Sequence, residues 1–261
     1  MEDQNRLLEF TLVPLGLLIL FAYHLWLLYR IVKHPTKTFI GVNAISRRFW
    51  VLSMMEDVSK NGVLAVQTLR NNIMASTLLA STAVMLSSLI AILMASGKHS
   101  HSSFLNVLGE RSQFSFSVKY FSILLCFLTT FLFNVQSVRY FSHGSILINV
   151  PYKKMSSDPL QQAATVEYVA ATINRGGIFW SIGLRAFYFS FPIYLWIFGP
   201  IPMFLSCSVL VFTLYILDTP IDFRPPSTTT GTVSDRKNND VEAASAETNY
   251  NDHTHLRESL F

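Results

Sequence analysis

The 261 residues are 51% hydrophobic and only 14% charged, with a mean hydropathy of +0.37, whereas soluble domains carry about 25% charged residues. The formal charge of +4 comes from basic residues that flank apolar blocks rather than forming a stripe interleaved with stacking aromatics, which argues against a nucleic-acid surface. Cys126 and Cys207 both fall inside apolar blocks, where a thiol acts as a small hydrophobe and says nothing about redox compartment.

The chain opens Met-Glu-Asp-Gln-Asn-Arg without a basic n-region, so the first apolar block is expected to be a retained helix rather than a cleaved signal. Phe10 to Tyr29 holds no charged residue and is long enough to cross a hydrocarbon core of about 30 Å, giving span one, 10–29. The polar segment Ile31 to Arg70 follows, its second half mixing apolar and charged residues at helical spacing as an extension of the next span. Ile73 to Ala95 is span two, 73–95, stopped by Gly97, Lys98 and a loop of serine and histidine. Along it Ser76, Ala80, Ala83, Ser87 and Ala91 place small residues on one side, a face for close helix packing or for a second copy. Span three is 120–138, between Lys119 and Arg139.

Asp158-Pro159 then starts a run of mixed polarity expected to lie on the membrane surface and to end at Gly176-Gly177. The last uncharged stretch, Ala186 to Leu217, is too long for a straight span, about 48 Å as one helix. The sequence predicts one span, 192–217, kinked at Gly199, Pro200 and Pro202, where the prolines remove backbone donors. The alternative is two helices, beginning near Gly177 and near Pro200, which would leave Arg185 mid-membrane at a cost of roughly 2.5 kcal/mol or more. After Asp222 the composition turns to Pro, Ser, Thr, Asn and acidic residues, the mark of a disordered tail.

The expected fold class is therefore all-α: an integral membrane helical bundle of about four transmembrane helices with interfacial helices. Residues 1–222 form the membrane domain and 223–261 the disordered polar tail. Twelve of the twenty Lys and Arg lie in the first and third loops, so these should face the cytosol and both termini the other side.

Ser46-Arg47-Arg48-Phe49-Trp50, the run Val66 to Thr77, Gln136 to Phe141, Gly183 to Pro192, Leu195 to Pro200 and Leu217-Asp218-Thr219 resemble the family catalogued as domain of unknown function 599, in its plant branch. The resemblance implies a multi-pass protein in the plasma membrane or an endomembrane of a plant cell and supplies no catalytic residue.

Arginines mark the cytosolic ends of all four predicted spans: Arg30, Arg70, Arg139 and Arg185. With Arg47, Arg48, Asn71, Asn72 and Gln136 they form a candidate layer for a lipid headgroup or carboxylate, since guanidinium forks bind such anions bidentately. The competing reading is a set of snorkelling anchors, neutralised in part by Glu56, Asp57 or Glu167. No hydrolase, ATPase, redox or metal motif is present, so neither cofactor nor metal is expected. The leading function is a non-enzymatic module whose partners are membrane lipids, anionic ones included, a second copy or another membrane protein. The rivals are a small transporter or channel, with a polar file through His24, Ser76, Ser87 and Asn134, and a lipid-modifying enzyme.

Overall fold

The computed structural model describes residues 2–99, 113–155 and 157–219, with side chains placed for 7–95, 117–153 and 157–219. The serine-histidine loop and the polar tail lie outside the described residues. The elements in chain order are α1 (Glu2–Lys33), a short 3-10 turn (Pro35–Lys37), α2 (Phe39–Glu56), α3 (Val58–His99), α4 (Gln113–Leu147), α5 (Tyr152–Met155), α6 (Pro159–Leu195) and α7 (Pro200–Asp218). The described residues form an all-helical integral membrane bundle.

Among the described residues, five helices, where about four were expected, are long and apolar enough to cross a membrane: α1, α3, α4, α6 and α7. Their outward faces are apolar, with Phe10 84%, Leu78 70% and Met85 71% exposed. Water would penalise such surface, whereas hydrocarbon tails do not.

The fourth predicted span is the principal correction. Residues 192–217 are not one kinked helix but the last turn of α6, a turn at 196–199, and α7. Gly199 adopts φ +143°, a conformation L side chains rarely adopt, and Pro200 begins α7 where its missing donor is not needed. Gly199, Pro200 and Pro202 thus make a hairpin between two spans. The surface run and the start of the supposed span are likewise one helix: α6 opens on Pro159, with the Asp158 carboxylate accepting from Leu160 N at 3.0 Å, and passes straight through Gly176-Gly177.

Those glycines serve close approach instead of termination. The Phe141 ring lies 3.0 Å from where a Cβ at 176 would sit, and a Cβ at 177 would overlap the Arg47 guanidinium. Small residues let α4 and α2 press onto α6, which is how helices pack tightly where solvent gives no hydrophobic drive.

Antiparallel neighbours α3 and α4 meet through Ser76 and Ser137, whose hydroxyls are 3.1 Å apart, and α4 and α6 through Ser137 Oγ donating to Gly176 O at 2.9 Å. On α3, Ser76, Ala80 and Ala83 are buried, Ser87 is half-buried and Ala91 faces outward. At 42, 35 and 37 residues, α3, α4 and α6 would extend about 63, 52 and 55 Å, well beyond the bilayer. Their overhang builds a core with α2 around Val51, Met55, Leu69, Phe141, Ile148, Val169 and Ile173.

Helices α1 and α7 run parallel. Glu9 meets Trp196 near one end, Gly16 meets Cys207 mid-length, and Tyr23 meets Asp218 at the other. Five spans therefore put the two ends of the described chain on opposite faces, which replaces the expectation that both termini lie together. Thr219 ends at the face that carries Arg47, Arg70 and Arg139, so the positive-inside rule predicts that it is cytosolic and the N-terminus is not. With antibody applied from the cytosolic side, a tag after Thr219 should be reached across an intact membrane and a tag at the N-terminus only once that membrane is permeabilised. Equal accessibility of both would refute five spans.

A Cβ at position 16 would lie 3.6 Å from Cys207 Cβ, within the range of about 3.5–4.5 Å that a disulfide needs. Gly16→Cys in a Cys126→Ser background should therefore cross-link within one chain under mild oxidation, read as loss of both thiols to a maleimide-polymer label without dimer formation. Persistent labelling would contradict the parallel pairing.

Candidate functional site

Charged groups inside the bundle gather at two levels. At the N-terminal end of α1, Lys119 Nζ pairs with Glu9 Oε1 at 3.0 Å and sits 5.4 Å from the centre of the Trp196 ring, while Trp196 Nε1 donates to the same carboxylate oxygen at 3.1 Å. This fastens α1, α4 and the α6–α7 turn together.

The second cluster lies towards the other face. Asp218, 7% exposed, accepts from Arg185 Nη2 through Oδ1 and from Tyr23 Oη through Oδ2, each at 2.5 Å. Arg185 stands about 15 Å along α6 from Leu195, near mid-bilayer, but helical side chains lean towards the N-terminus of their helix. That direction carries its guanidinium to the end of α7, where the only acid of that helix waits. An unpaired arginine at this depth is costly; pairing to Asp218 removes the objection that favoured a single kinked span.

Beside this clasp lies a slot of about 230 Å³. Leu27, Leu28 and Ile31 of α1, Ile40 of α2, and Ile178 and Ile182 of α6 form its apolar walls. His24, Ser181 and Arg185 line its deeper end. Leu28 is 50% and Ile182 38% exposed, so the slot opens sideways onto the lipid-facing surface. Two buried polar atoms at that end lack a hydrogen-bond partner: Arg185 Nη1 and His24 Nε2. His24 Nδ1 lies 2.8 Å from Leu20 O, which makes Nδ1 the donor and leaves Nε2 an acceptor.

A family model described as "Protein of unknown function, DUF599" matches residues 11–222. The chain belongs to the DUF599 family. The match takes in the Tyr23–Asp218–Arg185 clasp and the whole slot, while Glu9 precedes it. No curated protein and no solved structure matches the chain.

The arginine layer proposed for this DUF599 member is divided among separate surroundings. Arg30 lies 5.1 Å from the centre of the Trp26 ring. Arg48 Nε pairs with Glu167 Oε2 at 2.9 Å, with both side chains substantially exposed, so the pair adds little stability. Arg47 packs on Gly177. Arg70, Asn71, Asn72 and Arg139 are exposed, and Gln136 is half-buried. Arg185 belongs to Asp218.

Asp218, Glu9 and Lys119 were not singled out from the sequence. Asp218 left one signal, as the acid immediately following the last uncharged run. Lys119 read only as a span boundary, and Glu9 drew no reading at all.

Removing one member of a buried pair strands the other, at a cost of about 3–5 kcal/mol, whereas replacing both by apolar groups is often neutral. Asp218→Ala should therefore lower the melting temperature in detergent sharply, and Arg185→Met combined with Asp218→Leu should recover most of the loss. A double variant no more stable than Asp218→Ala would show that the pair is not the source of the effect.

Proposed function

We propose that this DUF599 protein is a non-enzymatic membrane module that binds lipids, with a preference for anionic ones. The observation that carries the reading is the slot between α1, α2 and α6: apolar along most of its length, open to the bilayer, lined by no carboxylate, and with Arg47 packed on Gly177 beside its wall. Pockets of this kind, apolar with few polar groups at one end, suit amphipathic ligands. The plant-type sequence resemblance supports placement in the plasma membrane or an endomembrane of a plant cell.

A transporter would need its polar residues to share a wetted path. Ser76 and Asn134 are both 0% exposed; Ser76 meets Ser137, Asn134 Nδ2 donates to Thr130 O at 2.8 Å, and His24 lies across the bundle against Phe189. One contact joins α3 to α4, one lies within α4 and one joins α1 to α6, so the residues do not share a single file. They support a packed module over a conduit.

Extraction of the full chain in native-lipid particles, followed by lipid mass spectrometry, should return anionic phospholipid enriched over the source membrane. A lipid profile identical to the bulk would overturn the reading.

A further inference from the structure

Arg47 is a basic residue whose charge is met by no acid among the described residues. Its neighbour Arg48 takes Glu167, and Arg185 takes Asp218. Arg47 makes no ion pair or side-chain hydrogen bond among the described residues. Burial lowers the pKa of its guanidinium, but arginine keeps its proton in proteins, so the positive charge stays. The side chain is half-buried, and a partly desolvated charge without a partner favours a counter-ion.

The direction of this side chain matters. Helix α2 runs antiparallel to α6, with Ala44 O accepting from Asn174 Nδ2 at 3.3 Å and Arg48 facing Glu167. The N-terminal end of α2 is thus the end nearer the bilayer, and side chains lean towards that end. Arg47 accordingly points inward from the cytosolic overhang and lands on Gly177, where it fills the space of a Cβ. The next residue, Ile178, is a wall of the slot, as is Ile40, two helical turns before Arg47 on α2.

A cation therefore stands beside the surface-side end of the slot without lining it, and the apolar walls run inward from there. This order matches the surface end of a phospholipid: phosphate at the surface, hydrocarbon below it. The slot, about 230 Å³, is smaller than the 300–1,000 Å³ typical of sites that enclose a whole drug-sized ligand. It has room for part of one chain, the remainder staying in the bilayer.

We propose that the slot between α1, α2 and α6 holds one acyl chain of an anionic phospholipid whose phosphate is bound by Arg47. The proposal rests on the lipid-binding reading above and deepens it. Gly177 is glycine because the phosphate-binding guanidinium needs the space.

The test is native mass spectrometry of the full chain in detergent, titrated with phosphatidic acid, with phosphatidylcholine of the same chains, and with inorganic phosphate. Wild type should take up one equivalent of phosphatidic acid in preference to phosphatidylcholine. Losing a bidentate guanidinium–phosphate contact should weaken binding roughly tenfold in Arg47→Lys and more in Arg47→Gln. Ile182→Trp, which fills the slot from its exposed wall and leaves every charge in place, should weaken it as well, while Arg70→Lys should not. Melting curves accompany each variant, and if Arg47 variants fail to fold, Ile182→Trp carries the test alone. Unchanged affinity in Arg47→Gln or Ile182→Trp, or full competition by inorganic phosphate, overturns the slot while lipid binding elsewhere stands. No preference of the wild type for phosphatidic acid over phosphatidylcholine overturns both.

Discussion

Where the charge of Arg185 goes decides how three of the five spans are arranged. Its Cα lies near mid-bilayer, a position that hydrocarbon alone would not tolerate. Asp218 answers it from the end of α7, and the Tyr23 hydroxyl takes the second carboxylate oxygen from α1. For those atoms to meet, α7 must return alongside α6 and α1 must run parallel to α7. The aliphatic contacts follow this frame: Val13, Leu20, Met203 and Cys207 in one cluster, Tyr23, Leu27 and Leu214 in the next.

The remaining helices solve a different problem. Helices α3, α4 and α6 approach closely over small residues and shared hydroxyls, then continue past the membrane and close a second core with α2. In the bilayer, contact is driven by packing and hydrogen bonds; in the overhang, burial of Val51, Met55, Ile148 and Ile173 from water contributes in the ordinary way. The slot lies where these regimes meet, which is why its walls come both from the spans α1 and α6 and from α2 of the overhang.

Sequence periodicity and charge made α1, α3 and α4 legible, because each contains a long run without a charged residue. It could not resolve α6, which is polar in its first half, apolar in its second, and crossed by Arg175 and Arg185. The cost of Arg185 was weighed without its counter-ion, and the acid that supplies it is 33 residues distant. Gly176-Gly177 looked like a stop because glycine weakens helices, while the opposing Phe141 and Arg47 that make glycine necessary belong to other elements. The arginines stood out as boundary residues, and Glu167 was among the acids expected to compete for them. Which arginine found an acid, and which was left with none, is a property of tertiary packing alone.

The turn at 196–199 has a meaning for biogenesis. Four residues cannot separate α6 and α7 during insertion, so the two must enter the bilayer as one hairpin. That couples the arrival of a cation and an anion in the same step, and neither ionised group has to partition into hydrocarbon by itself. Gly199, with its positive φ, is then a requirement of assembly as much as of the finished bundle, since a slack connection would let the arginine-bearing helix stall at the membrane surface before its counter-ion came within reach.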